Sequence, residues 1–346
     1  MSYVILKADL KKNKEDILAR WQTNLSNVQR NRYKWIYETN PSGRAYNWLA
    51  KDARTEKFVG SSGLYSRTVV VDGEPLQAGV AVDFFVDKEH RAFGPAINLQ
   101  RTVASSCREN GFDFILGFPN RNSEAVHLRV GYVAVADIHK MVKPLRMEAY
   151  LQKIVRNGYL SKSFSSLLNP ILKIVSRDTW YGEKKNLLAE VVACFDERFD
   201  QLWSTVSGNF KIIGERSSAY MNWRYCQCPF KKYAVFTLIE RETRELLGYI
   251  VFYIKEDASF IADLLAVSER MLEYLLAEFI KEMRKRRVAS IKYLGCEALT
   301  KTLKRFGFVS RKEDSRLIIY IDQKHRLAPI ILRKENWYFL EGDGDT

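Results

Sequence analysis

At 346 residues, with 47% hydrophobic and 28% charged residues, the chain is long enough for two ordinary domains and has the balance of a folded protein, not a disordered one. No run approaches the roughly 18 apolar residues that span a bilayer, and Met1 to Lys14 carries charge where a signal peptide has an apolar core, so a cytoplasmic location is expected. The net charge of +14 suits phosphorylated small molecules, anionic glycans, tRNA or peripheral contact with an anionic membrane, while five irregularly spaced cysteines and four histidines argue against a disulfide framework or a metal enzyme.

In chain order, the first feature is Trp35-Ile36-Tyr37 with Pro41, a W-x-Y-x-x-x-P pattern followed by Tyr46. A β-rich segment, Gly60 to Val71, comes next, then an apolar strand from Ala78 to Val86. This strand runs into Asp87-Lys88-Glu89-His90-Arg91-Ala92-Phe93-Gly94-Pro95-Ala96, and then into a helical stripe of Ile97, Leu99, Val103, Ala104 and Cys107 that stops at Asn110-Gly111. Strand, amide-rich turn and helix in that order make a place for an anion: Gly94 and Ala96 let a ligand approach the backbone, and the helix start presents free N–H groups and the positive end of a dipole. A second apolar strand, Phe112 to Phe118, leads to Asn120, Asn122 and Ser123, a short helix, and Gly131-Tyr132.

From Met147 to Phe210 the pattern predicts mostly helix, with Leu151, Ile154, Val155, Leu187, Val191, Val192 and Phe195 on apolar faces. The amphipathic, basic stretch Leu160 to Val175 is expected to pack on a domain, with a membrane surface as its other use. Trp223-Arg224-Tyr225 with Pro229 then repeats the W-x-Y-x-x-x-P pattern, with Tyr233 behind it. Strands, a long helix and Gly307-Phe308 follow in the order of the first half, which points to duplication. The second copy has no phosphate turn: Ser259 to Val267 runs into Ser268-Glu269, with a carboxylate where the first copy has open backbone. The basic runs Lys281 to Arg287 and Lys301 to Lys312 read as solvated faces, with Phe306 and Phe308 in a core, and the Gly-Asp tail after Trp337 reads as a frayed acidic terminus.

Arg91-x-x-Gly94-x-Ala96, with Asn122, Gly131 and Tyr132 in order behind it, resembles the GNAT (acyl-CoA N-acyltransferase) superfamily. The resemblance implies an α+β fold of two tandem GNAT-like domains, each a twisted, mostly antiparallel sheet flanked by helices. The expected divisions are 1–146 with the acyl-CoA phosphate loop, a helical linker 147–185, a degenerate copy 186–325 and a tail 326–346. It also implies acetyl-CoA or another acyl-CoA as co-substrate and no metal, with Val86, Arg91, Phe93, Gly94, Pro95, Ala96 and Ile97 at the pyrophosphate. Asn122 is expected on the pantetheine arm or capping the short helix.

A thioester is already activated, so such an enzyme positions it, keeps the amine neutral and stabilises the oxyanion. The resemblance points to Asp83 as base, with Asp87 and Glu89 shaping the loop, and aligns His127 with the tyrosine that often protonates the departing thiolate. The tandem arrangement is similar to that of GNAT proteins associated with bacterial surface-polysaccharide synthesis, which implies an amino sugar or sugar nucleotide as acceptor. Two alternatives remain open at this point: an aminoacyl-tRNA-dependent transferase of the peptidoglycan-bridge type, and a non-catalytic acyl-CoA-binding or scaffold protein.

Overall fold

A computed structural model describes residues 2–25, 30–146, 176–182 and 184–344. In the first half, strands β1 (Tyr3–Lys7), β2 (Ala45–Asp52), β3 (Phe58–Val71), β4 (Glu74–Val86), β5 (Phe114–Gly117), β6 (Val133–Asp137) and β7 (His139–Pro144) alternate with helices α1 (Lys14–Asn24), α2 (Pro95–Ser105) and α3 (Arg121–Arg129). In the second half come β8 (Leu187–Val192), α4 (Glu197–Val206), β9 (Ile212–Gly214), β10 (Ala234–Glu240), β11 (Leu246–Lys255), β12 (Ala258–Ala266), α5 (Glu269–Lys285), β13 (Ser290–Gly295), α6 (Thr300–Arg305), β14 (Val309–Arg311), β15 (Arg316–Ile321) and β16 (Trp337–Tyr338). Two mixed sheets flanked by helices result, as the α+β expectation requires. Among the described residues no helix is long and apolar enough to cross a bilayer.

Neither sheet is made by one half alone. The first runs β1-β2-β3-β4-β5-β15-β6 and the second β14-β7-β13-β12-β11-β10-β8. Thus β15, from the second half, lies antiparallel between β5 and β6, and β7, from the first half, lies antiparallel between β13 and β14. Each half gives the other its penultimate strand.

The repeated tryptophans meet at the centre. Trp35 and Trp223 are both buried and stack with ring centroids 5.1 Å apart. Trp35 Nε1 donates to the Trp223 carbonyl at 2.8 Å, and Trp223 Nε1 donates to the Trp35 carbonyl at 2.9 Å. Each tryptophan sits in a π-helical turn, Lys34–Glu38 or Asn222–Cys226. The widened turn makes this exchange available. The Thr39 amide bonds to the Lys34 carbonyl and the Gln227 amide to the Asn222 carbonyl, so each passes over the tryptophan carbonyl that an α-helix would have given it.

Residues Leu187, Val191 and Val192, expected on a helix face, belong instead to strand β8, which pairs with β10. A short apolar run fits either element, and here an available sheet edge decides. The helix begins later, where the Asp196 carboxylate caps α4. Leu151, Ile154, Val155 and the stretch 160–175 lie outside the described residues. Phe306 and Phe308 are in the core, as expected. The basic run 281–287 is partly engaged in pairs, with Arg284 on Asp178 and Arg286 on Glu282.

The tail is not frayed as far as Gly344. β16 pairs in parallel with β9, and the chain then enters the gap where β12 and β13 part. Those strands pair only from Ala258 to Ile261. Beyond that point Leu340 bridges Gly295, the Cys296 amide donates to the Phe339 carbonyl at 2.8 Å, and Tyr338 Oη donates to the Leu264 carbonyl at 2.5 Å. Asp343 ends the insertion between Arg67 and Arg216, and Arg224 donates to the carbonyls of Gly342 and Gly344 at 2.8 Å each. Guanidinium groups from both halves explain why an acidic terminus is drawn inward. Burial opposes ionisation of Asp343, but Arg216 and then Arg67 hold its pKa below the usual carboxylate value. Asp263, also paired to Arg216, is raised by burial and by Asp343.

Two stability predictions follow from these contacts. Trp35→Phe removes one indole donor and leaves the Trp223 carbonyl unpaired, at a cost of about 1–3 kcal/mol measured by urea denaturation. Asp343→Ala leaves the buried Arg67 guanidinium without a carboxylate and Arg216 with Asp263 alone, and should cost about 3–5 kcal/mol in the same assay.

Candidate active site

The site begins with a break in regularity. β4 follows β3 in antiparallel register until the pairing slips between Ser61 and Gly63, opposite Val82 to Phe85. At this slip Asp83 takes a left-handed backbone, φ 53°. On its other side β4 runs parallel to β5 only from Ala78 to Val80, so the strands part just before the slip. The parting from β5 marks a candidate cleft along Ala81 to Val86, where no described strand pairs with β4 on that side.

The carboxylate of Asp83 is buried and doubly held. Arg32 donates to Oδ1 from Nε at 2.9 Å, with its Nη2 at 2.8 Å, and Tyr37 Oη donates to Oδ2 at 3.0 Å. Asn47 Nδ2 in turn donates to Tyr37 Oη at 3.1 Å. Burial and then the Asp83 charge push the Tyr37 phenol far above its usual pKa, so it remains a donor. Gly63 makes this approach possible, because a Cβ there would lie 2.1 Å from Tyr37 Oη. The sequence does not assign Arg32, Tyr37, Asn47 or Gly63 to this site. The signal available was Tyr37 itself, two residues past the first repeated tryptophan.

Beyond the cleft β4 gives way to a 3₁₀ turn, Lys88–Phe93, then Gly94, then α2 with Pro95 first. Gly94 has φ 88°, a conformation that glycine adopts without strain, and nothing lies within 4 Å of where its Cβ would be. Among the described residues no side chain caps α2, so the amides of Ala96 and Ile97 at its first turn have no capping partner there. Arg91 Nε donates to the Val86 carbonyl at 3.0 Å, which fixes an exposed guanidinium at the strand end. Asp87 shapes the turn by accepting from Asn24 at 2.6 Å and pairing with Arg20 at 3.2 Å. The second copy differs in kind: Ser268 caps α5 by accepting from the Met271 amide at 3.3 Å, and Glu269 stands in its first turn.

On α3 the cap is Asn120, whose Oδ1 accepts from the amides of Asn122 and Ser123 at 3.1 and 3.0 Å. The capping role expected of Asn122 thus falls two residues earlier, because the helix already starts at Arg121, and the Asn122 side chain is left exposed. His127 is buried, with its ring edge-on to Phe84 at 5.4 Å and to Tyr132 at 4.9 Å, which sets α3 against the slipped part of β4. Its Nδ1 lies 2.8 Å from the Ser123 carbonyl. A carbonyl only accepts, so Nδ1 carries the proton and Nε2 is left with a lone pair. Burial lowers the imidazole pKa and keeps the ring neutral.

This topology, a strand pair that parts beside a slipped strand and an uncapped helix start, is the fold of the GCN5-related N-acetyltransferases. The chain is similar to a GCN5-related N-acetyltransferase from Anabaena variabilis, with TM-score 0.69, 14% identity, and 96% of this chain and 75% of that one covered. It is also similar to a probable N-acyltransferase from Enterococcus faecalis, with TM-score 0.64, 9% identity, and coverage of 92% and 72%. Saccharomyces cerevisiae N-myristoyltransferase with bound myristoyl-CoA gives TM-score 0.57 at 12% identity, with coverage of 92% and 78%. No family model and no curated protein matches the sequence.

The histidine geometry has a pH consequence. His127 should titrate below the ordinary value near 6.5. The unfolded chain then takes up this proton first, so stability contributed by the neutral ring above that value is lost as pH falls through it toward the folded pKa. Denaturation midpoints should fall on acidification through and below about pH 6.5, and His127→Gln should flatten that slope.

Proposed function

We propose that the protein is an acyl-CoA-dependent N-acyltransferase acting through a ternary complex, with acetyl-CoA as the donor to test first. The observation that carries this reading is the cleft at the end of β4 leading directly into the uncapped α2 turn. The thioester arm would lie along the unpaired backbone past Val80, with the pyrophosphate over the amides near Gly94, Ala96 and Ile97 and the charge of Arg91 beside it. Val86, Phe93 and Pro95 form the frame of this turn.

In the reaction the acceptor nitrogen attacks the thioester carbonyl, the C–N bond forms, the C–S bond breaks and the thiolate leaves. The nitrogen loses one proton. Asp83 is the carboxylate assigned to receive it, through Tyr37 or a water, because Arg32 and Tyr37 already occupy its oxygens. His127 is assigned a positioning role, not that of acid: with its Nε2 unprotonated it has no proton there to give, and its ring backs Phe84 at the slip. The acceptor is an amine, for which an amino sugar or sugar nucleotide in cell-surface polysaccharide synthesis is the reading carried from the sequence resemblance.

Calorimetry with acetyl-CoA tests the donor site. Gly94→Glu should abolish binding while circular dichroism stays native, since the new side chain meets open space but places bulk, charge and an unfavourable φ in the turn. Unchanged affinity in the folded variant would overturn the placement. Asp83→Asn should lower kcat by about 10²-fold or more with little change in acetyl-CoA affinity. An equal loss in both would assign Asp83 to binding.

A further inference from the structure

We propose that the acceptor amine carries an anionic group, phosphate or carboxylate, and that this group is read by a cavity on the second half of the chain. The proposal rests on the acyltransferase reading above and specifies its second substrate. The cavity, about 720 Å³, lies under the loop that follows the second W-x-Y-x-x-x-P motif. Its distinguishing lining residues are Cys226, Cys228, Phe230, Lys231, Lys232 and Tyr233.

Three observations carry it. First, position: Phe230 lies 5.8 Å under the Arg32 guanidinium and 6.3 Å from Trp35, and Arg32 is the group paired with Asp83. One side chain therefore separates this loop from the carboxylate assigned to the amine proton. Second, charge: among the described residues the lining holds two ammonium groups and no carboxylate. Lys231 is partly balanced from behind by Glu341 at 2.8 Å, whereas Lys232 is exposed. Third, an unmet hydrogen bond: Tyr233 Oη is buried and has no partner among the described residues, although its ring is held edge-on by Tyr225 and Tyr253. Burial pushes the phenol up, so it stays protonated, a donor held behind the lining. A positive cavity also repels an ammonium group and favours the neutral amine that attack requires.

Cys226 and Cys228 are native reporters in the lining, the first exposed and the second partly so. Iodoacetamide labelling followed by mass spectrometry should be slowed several-fold at Cys226 and Cys228 by glucosamine 6-phosphate and by β-alanine. The neutral counterparts glucosamine and β-alaninamide should protect far less. Lys232→Glu should remove the protection, and Tyr233→Phe should weaken it. Equal protection by charged and neutral probes, protection that survives Lys232→Glu, or no protection at all would overturn the proposal. Acetyl-CoA binding is measured on the same samples: if it persists, only the acceptor assignment fails, whereas its loss in wild type removes the underlying reading.

Discussion

Two indole N–H groups and two backbone carbonyls hold the halves of this chain to each other, and the candidate chemistry is built outward from them. The constraint is local in origin. Each π-helical turn shifts one amide by a residue, so a tryptophan carbonyl loses its helical partner and takes the other copy's indole. Tyr37 and Tyr225 each stand two residues beyond their tryptophan in the same turns, so the lock that joins the halves also sets where these phenols point. Tyr37 reaches Asp83 at 3.0 Å because that turn is fixed, and Phe230 reaches Arg32 because its loop follows the other one.

The duplicated architecture makes two equivalent openings, between β4 and β5 and between β12 and β13, and treats them oppositely. Each opening lies beside a register slip with a buried aspartate, Asp83 in one and Asp263 in the other, and each aspartate faces an arginine and a tyrosine. In the second, residues 338–344 of the same chain enter the gap and make the backbone contacts that an extended ligand would make. The helix start beside it is closed by the Ser268 cap. The second half thus keeps the shape of a ligand cleft and fills it with its own tail. Phe118, just past β5, packs 5.6 Å from Phe339, so the same tail also borders the opening of the first half.

What could be read from sequence was local. The strand, turn and helix from Ala78 to Cys107 announce themselves by apolar spacing and by Gly94, and the paired tryptophan motifs stand out as a repeat. The arginine and tyrosine on Asp83 did not, since Arg32 lies 51 positions away in the chain and a bulge leaves no mark in an apolar strand. Asp343 was read as solvent-facing because its partners, Arg67 and Arg216, are remote in sequence. Strand exchange is equally silent, since β7 and β15 are short strands with continuous buried runs, and nothing local says which sheet receives them.

The exchange of strands bears on how the protein is made. Until Ile321 has been synthesised, β6 has no partner and β5 is held only by a three-residue ladder on β4. At about 5–20 residues per second, the roughly 180 residues from Asp137 to Ile321 take on the order of 10–40 seconds to emerge, and the sheet that leads into the α2 turn stays open throughout. The nascent first half therefore presents an unpaired β-edge for a period in which chaperones or a neighbouring nascent chain can occupy it, and the same edge is the natural route to a domain-swapped dimer.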